Sequence, residues 1–166
     1  KRNDVNLFCC FDALRAKPWL IKASRVISHT GDGPPYLLIP LLMYFSNYAV
    51  RAELYRLLVT AFLIERSFYF SMKLSFRRSR PADTIGHFQA AIKPSDQFSF
   101  PSGHSSAAFL FASFLACAMP GLTDLFFLWA TLVSVSRFIL GVHFATDIVM
   151  GAMIGLLTAQ LIFGSL

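Results

Sequence analysis

Charge is what this sequence has least of: 14% of its 166 residues are Asp, Glu, Lys or Arg, against 55% hydrophobic and 15% aromatic. A mean hydropathy of +0.56 lies far outside the balance of water-soluble domains and excludes an ordinary globular surface. Nucleic-acid binding is excluded with it, because the net charge of +6 is not spread as a basic stripe over a soluble fold. The cations gather in a few polar segments, which suits anionic lipid headgroups or phosphorylated substrates. Cysteine is scarce too. Cys9 and Cys10 are neighbours, which disfavours a mutual disulfide, and Cys117 lies in an apolar run, so no disulfide framework is expected. The Cys9-Cys10 pair reads as two small hydrophobes on an interfacial helix, with acylation as the alternative. Neither a Cys/His spacing for zinc nor a carboxylate cluster for magnesium is present. The N-terminus lacks an uninterrupted apolar core followed by a small-residue cleavage site, so no cleavable signal peptide is expected.

What the sequence does have is a series of apolar runs. Residues 5 to 28 mix Val5, Phe8, Phe11, Trp19 and Ile27 with Arg15, Lys17, Lys22 and Arg25, too polar to cross a membrane. They suit an amphipathic helix pair lying in the interface and divided at Pro18. The stretch from 28 to 35 is turn chemistry, and His29 and Asp32 within it read as turn and cap residues before they read as site residues. Five apolar segments follow, at about 35–50, 54–72, 105–119, 122–140 and 142–163. Several fall short of the roughly 20 residues a bilayer requires, and interfacial residues would extend them. The expected fold class is therefore all-α: an integral-membrane helical bundle of about five transmembrane helices plus an N-terminal interfacial amphipathic segment. One domain is expected over 1–166, with 1–33 as lead-in and 34–166 as catalytic core. Tight turns are expected at 51–53 and at Pro120-Gly121, and the long polar connection runs over 73–103. Ala108, Ala112 and Ala116, with Gly151 and Gly155, mark close helix contacts within the chain, which would set the start of the third span beside the start of the fifth. Glu65 and Arg66 fall inside the second span and need partners or a wet cavity. Glu65 either helps orient a catalytic cation or pairs with an adjacent helix.

Three clusters carry chemistry. In the first, His143 and Asp147 are four apart, so on a helix they share a face. The carboxylate can then accept an imidazole proton and leave the other nitrogen free as nucleophile or base. Arg137 offers a cationic fork to an oxyanion, and Gly141 lets the chain bend so that Arg and His converge. Taken alone, this stretch is equally open to a purely structural reading. The second cluster is Phe100-Pro101-Ser102-Gly103-His104, where Ser102 offers a hydroxyl, a helix N-terminus presents free N–H groups to an anion, and His104 is placed to protonate a leaving oxygen. In the third, Lys73 supplies a point charge and Arg80-Pro81 a fork, seven residues later.

In this order and apolar setting, Lys73 with Arg80-Pro81 (KxxxxxxRP), Pro101 to His104 (PSGH) and Ser136 to Asp147 (SRxxxxxHxxxD) resemble the type 2 phosphatidic acid phosphatase (PAP2) superfamily. Every fixed position is matched, and the resemblance runs from about Gly31 to the C-terminus. The first thirty residues resemble only the lead-in of short bacterial members. The resemblance implies a membrane lipid phosphatase in which His143 attacks phosphorus to form a phosphohistidine, Asp147 holds and charges it, and His104 protonates the departing group. Lys73, Arg80, Ser102, the Gly103 N–H and Arg137 would hold the equatorial oxygens. No metal or other cofactor is implied. The partners implied are a lipid phosphate substrate and the bilayer, with no nucleic acid and no obligatory protein partner. Undecaprenyl pyrophosphate, phosphatidylglycerophosphate, phosphatidic acid, diacylglycerol pyrophosphate and a lipid A phosphate all present the required phosphoryl group.

Three other readings compete. Vanadium haloperoxidases carry similar motifs, but five apolar spans favour a lipid substrate. A non-catalytic lipid-binding membrane protein of the same fold would have no reason to keep every reactive position. A channel or transporter would distribute polar residues along a path, whereas here they gather at one end of the spans. On orientation, the positive-inside rule assigns the N-terminal segment and the long loop to the cytoplasm. The resemblance places the active site at the extracytoplasmic face of a bacterial inner membrane. It is preferred because Lys73 and Arg80 are held where they are by chemistry.

Overall fold

The computed structural model describes residues 2–45, 52–94 and 96–164, and all regular structure among them is helical. Three short helices come first: α1 (Arg2–Cys10), α2 (Asp12–Arg15) and α3 (Pro18–Thr30), the last started by Pro18, whose missing N–H costs nothing in a first turn. After a bend at Gly31 and Asp32 comes α4 (Gly33–Phe45), then α5 (Ala52–Phe76) and the one-turn α6 (Pro81–Thr84). The central helix is α7 (Gly103–Ala118). A 3-10 turn at Pro120–Leu122 leads to α8 (Thr123–Ile139), and α9 (Ala145–Phe163) closes the bundle.

Each expected apolar segment thus holds one helix. By length and apolarity two of the five qualify as membrane-crossing, α8 with its preceding turn and α9; α4 and α7 are apolar but shorter. At 25 residues α5 is long enough, but charged residues interrupt it. The turn expected at 51–53 begins at Arg51, outside the described residues, as does the end of the first apolar segment at 46–50. The turn at Pro120-Gly121 is present. Lys73, expected to open the long loop, instead sits in the last turn of α5, where a cation complements the helix dipole.

Helix α7 organises the packing. Its face of Leu110, Phe111, Phe114 and Leu115 meets Leu58 and Ala61 of α5 and Ala159 and Phe163 of α9. Its small-residue stripe, Ala108 and Ala112, packs on Ala130 and Val133 of α8. Against α9 the approach is backbone to backbone: a Cβ at Gly151 would lie 2.4 Å from the Ser102 carbonyl oxygen, and one at Gly155 2.3 Å from that of Ser106. The start of α7 is thereby held beside the start of α9, within one chain, as the GxxxG spacing suggested.

The lead-in differs from expectation. It packs on the core, a contact the interfacial expectation did not include, while Trp19 and Val26 remain exposed. Phe8 of α1 is fully buried, edge-on to Phe88, Phe138 and Phe144, and the Arg15 guanidinium lies 3.5 Å over its ring. Asp4 accepts hydrogen bonds from Arg78 (2.7 Å) and Thr146 (2.6 Å). Helix α3 lies along α8. Ile27 of α3 packs on the face formed by Ala130 and Val133 of α8.

Replacing Gly155 with Leu forces α9 off α7. The expected cost is roughly 1–3 kcal/mol, the usual range for overpacking. It is read as a lowered unfolding temperature in detergent.

Candidate active site

The three motif segments meet at Ser99, on the approach to α7. Its N–H donates to the Arg78 carbonyl (2.8 Å) and its hydroxyl to the Ser79 carbonyl (3.0 Å), which ties this approach to the segment ahead of Arg80. Its own carbonyl accepts the Nδ1–H of His143 at 2.7 Å. Arg80 adds a second tie, donating Nη1 to the Val142 carbonyl at 2.6 Å. A third joins the Ser102 N–H to the Asp147 carbonyl at 2.9 Å.

His143 lies in the connection before α9, so the same-helix geometry expected for it and Asp147 does not hold. The chain leaves α8 through Gly141, whose φ of +76° suits glycine and whose missing side chain admits the Phe88 ring, 2.3 Å from where a Cβ would stand. Asp147 is in the first turn of α9. Its Oδ2 accepts the Phe144 N–H at 2.8 Å and its Oδ1 accepts Arg78 at 2.9 Å. That leaves Oδ2 3.7 Å from His143 Nδ1, within electrostatic reach but beyond a hydrogen bond. Ser99 is therefore the group that fixes the His143 tautomer, with Nδ1 protonated and the Nε2 lone pair free. Burial, reinforced by the charges of Arg80 and Arg137 and only partly opposed by Asp147, pushes the His143 imidazole down to about 4.

A cavity of about 540 Å³ collects most of the remaining expected residues. Arg80, Gly103, His104, Arg137 and His143 line its polar end. Tyr36, Leu37, Leu58, Val59, Phe62 and Leu63 line the other end, between α4 and α5. Leu37, Val59 and Leu63 remain largely exposed on the outer surface, so this end is a groove continuous with the apolar exterior. Two expected anion ligands are placed differently. Ser102 is fully buried as the N-cap of α7, its Oγ accepting from the Ser105 N–H and hydroxyl (3.4 and 3.0 Å), and it does not line the cavity. Lys73 also stands behind the wall, donating to the Tyr69 hydroxyl and, at 2.6 Å, to Asp96.

Asp96 is the residue that sequence reasoning missed. Its carboxylate takes Lys73 on Oδ2 and Arg80 on Oδ1, and its Oδ2 also accepts the Tyr69 hydroxyl at 2.9 Å. Burial works to raise its pKa, but the bonds from Lys73 and Tyr69 and the charges of Lys73 and Arg80 outweigh burial and hold the carboxyl below its usual range. Its two oxygens thus set an anion against two cations at the cavity wall. Arg137 complements it: the guanidinium is buried, Nη1 donates to Ser28 Oγ at 2.7 Å, and Nε has no partner. A buried guanidinium N–H facing no acceptor is costly unless a ligand satisfies it. Glu65, also fully buried, is spent on Arg66 (2.5 and 2.6 Å) and on Ser106 of α7, the adjacent-helix alternative.

Histidine and acid partners that read as turn residues also reach the site. His104 Nε2 is 2.8 Å from Asp32 Oδ1, and Asp32 Oδ2 is 2.5 Å from His29 Nδ1. A signal for Asp32 was present, since it is a lone carboxylate directly before a helix that borders the cavity. For Asp96 there was only its place in a cation-rich loop.

The sequence pattern of the PAP2 superfamily matches residues 53–165. A phosphatidylglycerophosphatase B of Bacillus subtilis is 32% identical over 165 residues, covering 89% of this chain and 76% of the relative. A probable lipid phosphate phosphatase beta of Arabidopsis thaliana is 34% identical over 116 residues, 53% of this chain; the match spans 54% of the plant protein, about half its length. Among solved structures, a transmembrane PAP2 type phosphatidylglycerolphosphate phosphatase from B. subtilis superposes with a TM-score of 0.79 at 30% identity, covering 99% of this chain and 84% of that one.

Orthophosphate is expected to raise the unfolding temperature by binding the folded state. Arg137→Gln should weaken that stabilisation. Asp96→Asn, which removes the competing anion, should reach the same stabilisation at a several-fold lower phosphate concentration. A thermal titration of the three proteins measures both effects.

Proposed function

The chain belongs to the PAP2 superfamily as an integral-membrane phosphatase, and on that premise we propose that it cleaves the phosphate from a lipid phosphate through a phosphohistidine on His143. The observation that carries this reading is the composition of one cavity: buried cations and two histidines at one end, an apolar groove open to the exterior at the other. Charge holds the phosphoryl group and the groove takes the chain.

In the first step the Nε2 lone pair of His143 attacks phosphorus. Burial serves this step, because it keeps the imidazole neutral at physiological pH. The phosphoryl oxygens displace the Asp96 carboxylate from Arg80 and Lys73 and satisfy Arg137 Nε. The Gly103 N–H faces the same group, and Ser102 contributes by capping the helix that presents it. Three cations spread over the equatorial oxygens stabilise charge where it develops. The P–O bond breaks toward the lipid oxygen, which takes the proton of His104. Asp147, 3.7 Å behind His143, offsets the positive charge of the phosphoimidazolium. In the second step water attacks phosphorus, gives a proton to His104, and frees His143 and orthophosphate.

All five longer helices cross the bilayer in this reading. The charged pair inside α5 neutralises itself, and α7 is surrounded by its neighbours, so its short length meets little lipid. The active site opens at the extracytoplasmic face of a bacterial inner membrane. A terminal phosphate on a glycerolipid or prenyl lipid, in the outer leaflet, is the substrate class.

His143→Ala is expected to abolish both turnover of lipid phosphates and an acid-labile phosphoenzyme, and Arg137→Gln to cost about a hundredfold or more in kcat, the scale of losing one oxyanion donor. Turnover by His143→Ala would remove the assignment. Because the folded His143 pKa is depressed, the neutral nucleophile persists as pH falls and is lost only near 4; the acid limb of kcat/KM should fall there, below the ordinary imidazole range. Orientation is tested with Gln97→Cys as the single cysteine, Cys9, Cys10 and Cys117 being replaced by serine, in intact cells, where labelling by an impermeant thiol reagent is expected and protection would place the site in the cytoplasm.

A further inference from the structure

We propose that Asp32 is a positioning residue for the departing group: its carboxylate holds one nitrogen of His104 so that the other delivers its proton to the lipid oxygen. The inference rests on the phosphatase reading and extends it to a residue outside the three motifs.

Asp32 stands on a fixed platform. The bend between α3 and α4 is tied to α8 at three consecutive points. Ser28 Oγ accepts from Arg137 at 2.7 Å, Thr30 Oγ1 accepts the Trp129 indole N–H at 2.9 Å, and a Cβ at Gly31 would meet Val133 Cγ1 at 2.6 Å. The Gly31 carbonyl then accepts the Tyr36 hydroxyl at 3.0 Å. A carboxylate on such a bend has little freedom, and both of its oxygens are used. Oδ1 meets His104 Nε2 at 2.8 Å, and Oδ2 meets His29 Nδ1 at 2.5 Å. The bond to His29 stops the carboxylate from rotating away from His104. Burial acts to raise the Asp32 pKa, but hydrogen bonds from His104 and His29 and their charges outweigh it, so Asp32 remains a carboxylate.

The placement matches what the leaving group requires. With Nε2–H committed to Asp32, the charged ring donates from Nδ1, and the neutral ring left behind keeps its proton on Nε2. Arg137 and Arg66 both bear on this ring, and Asp32 is the negative charge set against them. In the first step the P–O pair goes to the lipid oxygen, the Nδ1 proton goes with it, and His104 becomes neutral while keeping its bond to Asp32. In the second step a water proton returns to Nδ1 as the P–N bond to His143 breaks. Asp32 stays ionised throughout, and no further reactant is consumed. Its environment also has a route to water. Asp32 and His104 are a shared wall between the main cavity and a second one of about 410 Å³, lined by Arg25, His29 and Lys93 on its far side. The His29 side chain is 84% exposed.

A residue that serves proton donation matters in proportion to how badly the leaving oxygen needs the proton. An alkoxide needs it; p-nitrophenolate does not. Single-turnover rates of phosphoenzyme formation from dioleoyl phosphatidic acid and from p-nitrophenyl phosphate, in detergent, therefore separate positioning from structure. For Asp32→Asn the rate from the lipid is expected to fall about ten- to hundredfold, with its KM within about twofold and the rate from p-nitrophenyl phosphate nearly unchanged. His29→Ala, at an exposed position and with Asp32 intact, is expected to show the same selectivity at a several-fold level, which keeps the test decisive if Asp32→Asn folds poorly. Equal losses from both substrates in His29→Ala, or in an Asp32→Asn protein that unfolds at the wild-type temperature, would overturn the assignment of Asp32. A wild-type protein that forms no phosphoenzyme from either substrate sinks the phosphatase reading itself and this inference with it.

Discussion

The approach of α9 to α7 is the constraint on which the site depends. Two helices whose backbones touch at Gly151 and Gly155 cannot slide or rotate independently, because each glycine is opposed by a carbonyl of α7. Fixing the pair fixes what precedes each helix: the capping turn of α7, which carries Gly103 and His104, and the loop that carries His143. The single backbone bond from Ser102 to Asp147 locks the two turns in register. The groups of the candidate site, from distant parts of the sequence, are therefore presented by rigid elements, and only the loop ending at Ser99 must be added to complete them.

Burying this much charge in an apolar protein requires that almost every ion be answered. Arg66 has Glu65, Arg78 has Asp4 and Asp147, and Lys73 and Arg80 share Asp96. Such pairs are costly to break and contribute little net stability, so their value lies in geometry. Arg137 is treated differently, with one nitrogen on Ser28 and its Nε unanswered. The site is thus short of one anion at Arg137 and holds a replaceable one at Asp96. On the proposed function, a phosphoryl group supplies the first and exchanges with the second, and Asp96 answers the cation pair until then.

The order of helices, the turn at Pro120-Gly121, the packing of the GxxxG face and the gathering of Arg80, His104, Arg137 and His143 were legible because each rests on local pattern or on motif spacing. What was not legible depends on loops returning from far away. Helical spacing put Asp147 on His143, but the helix begins two residues after the histidine, and the Ser99 carbonyl, which has no signature in sequence, takes the bond instead. Lys73 read as loop because the polar stretch starts there, yet the helix runs on to Phe76. Ser102 was read as a ligand, and its hydroxyl oxygen also caps α7, which spacing alone does not reveal. Asp32 and Asp96 are ordinary turn and loop carboxylates until the fold sets them against His104 and against the cation pair. Amphipathicity in the lead-in was read as contact with lipid, since periodicity reports that a face is apolar and not what covers it.

The two ends of the cavity select by different physics, and this locates specificity. The groove between α4 and α5 is walled by aliphatic and aromatic carbon, so it contributes binding in proportion to apolar area and has no directional means of telling one chain from another. On the proposed function, the cation cluster holds the phosphoryl oxygens, which every lipid phosphate shares. Discrimination must then arise where the two meet, among the polar groups that flank the bond to be broken. In this protein Asp32, 2.8 Å from His104, is such a group, and Arg66 and Tyr69 line the same cavity. An acid held by a carboxylate at that point favours substrates whose leaving oxygen is a poor one. A substrate that leaves as a phosphate brings a second anion against Asp32 and gains less from His104. On the proposed function, the arrangement around the leaving oxygen thus inclines the site toward esters of alcohols, through the contact of Asp32 with His104.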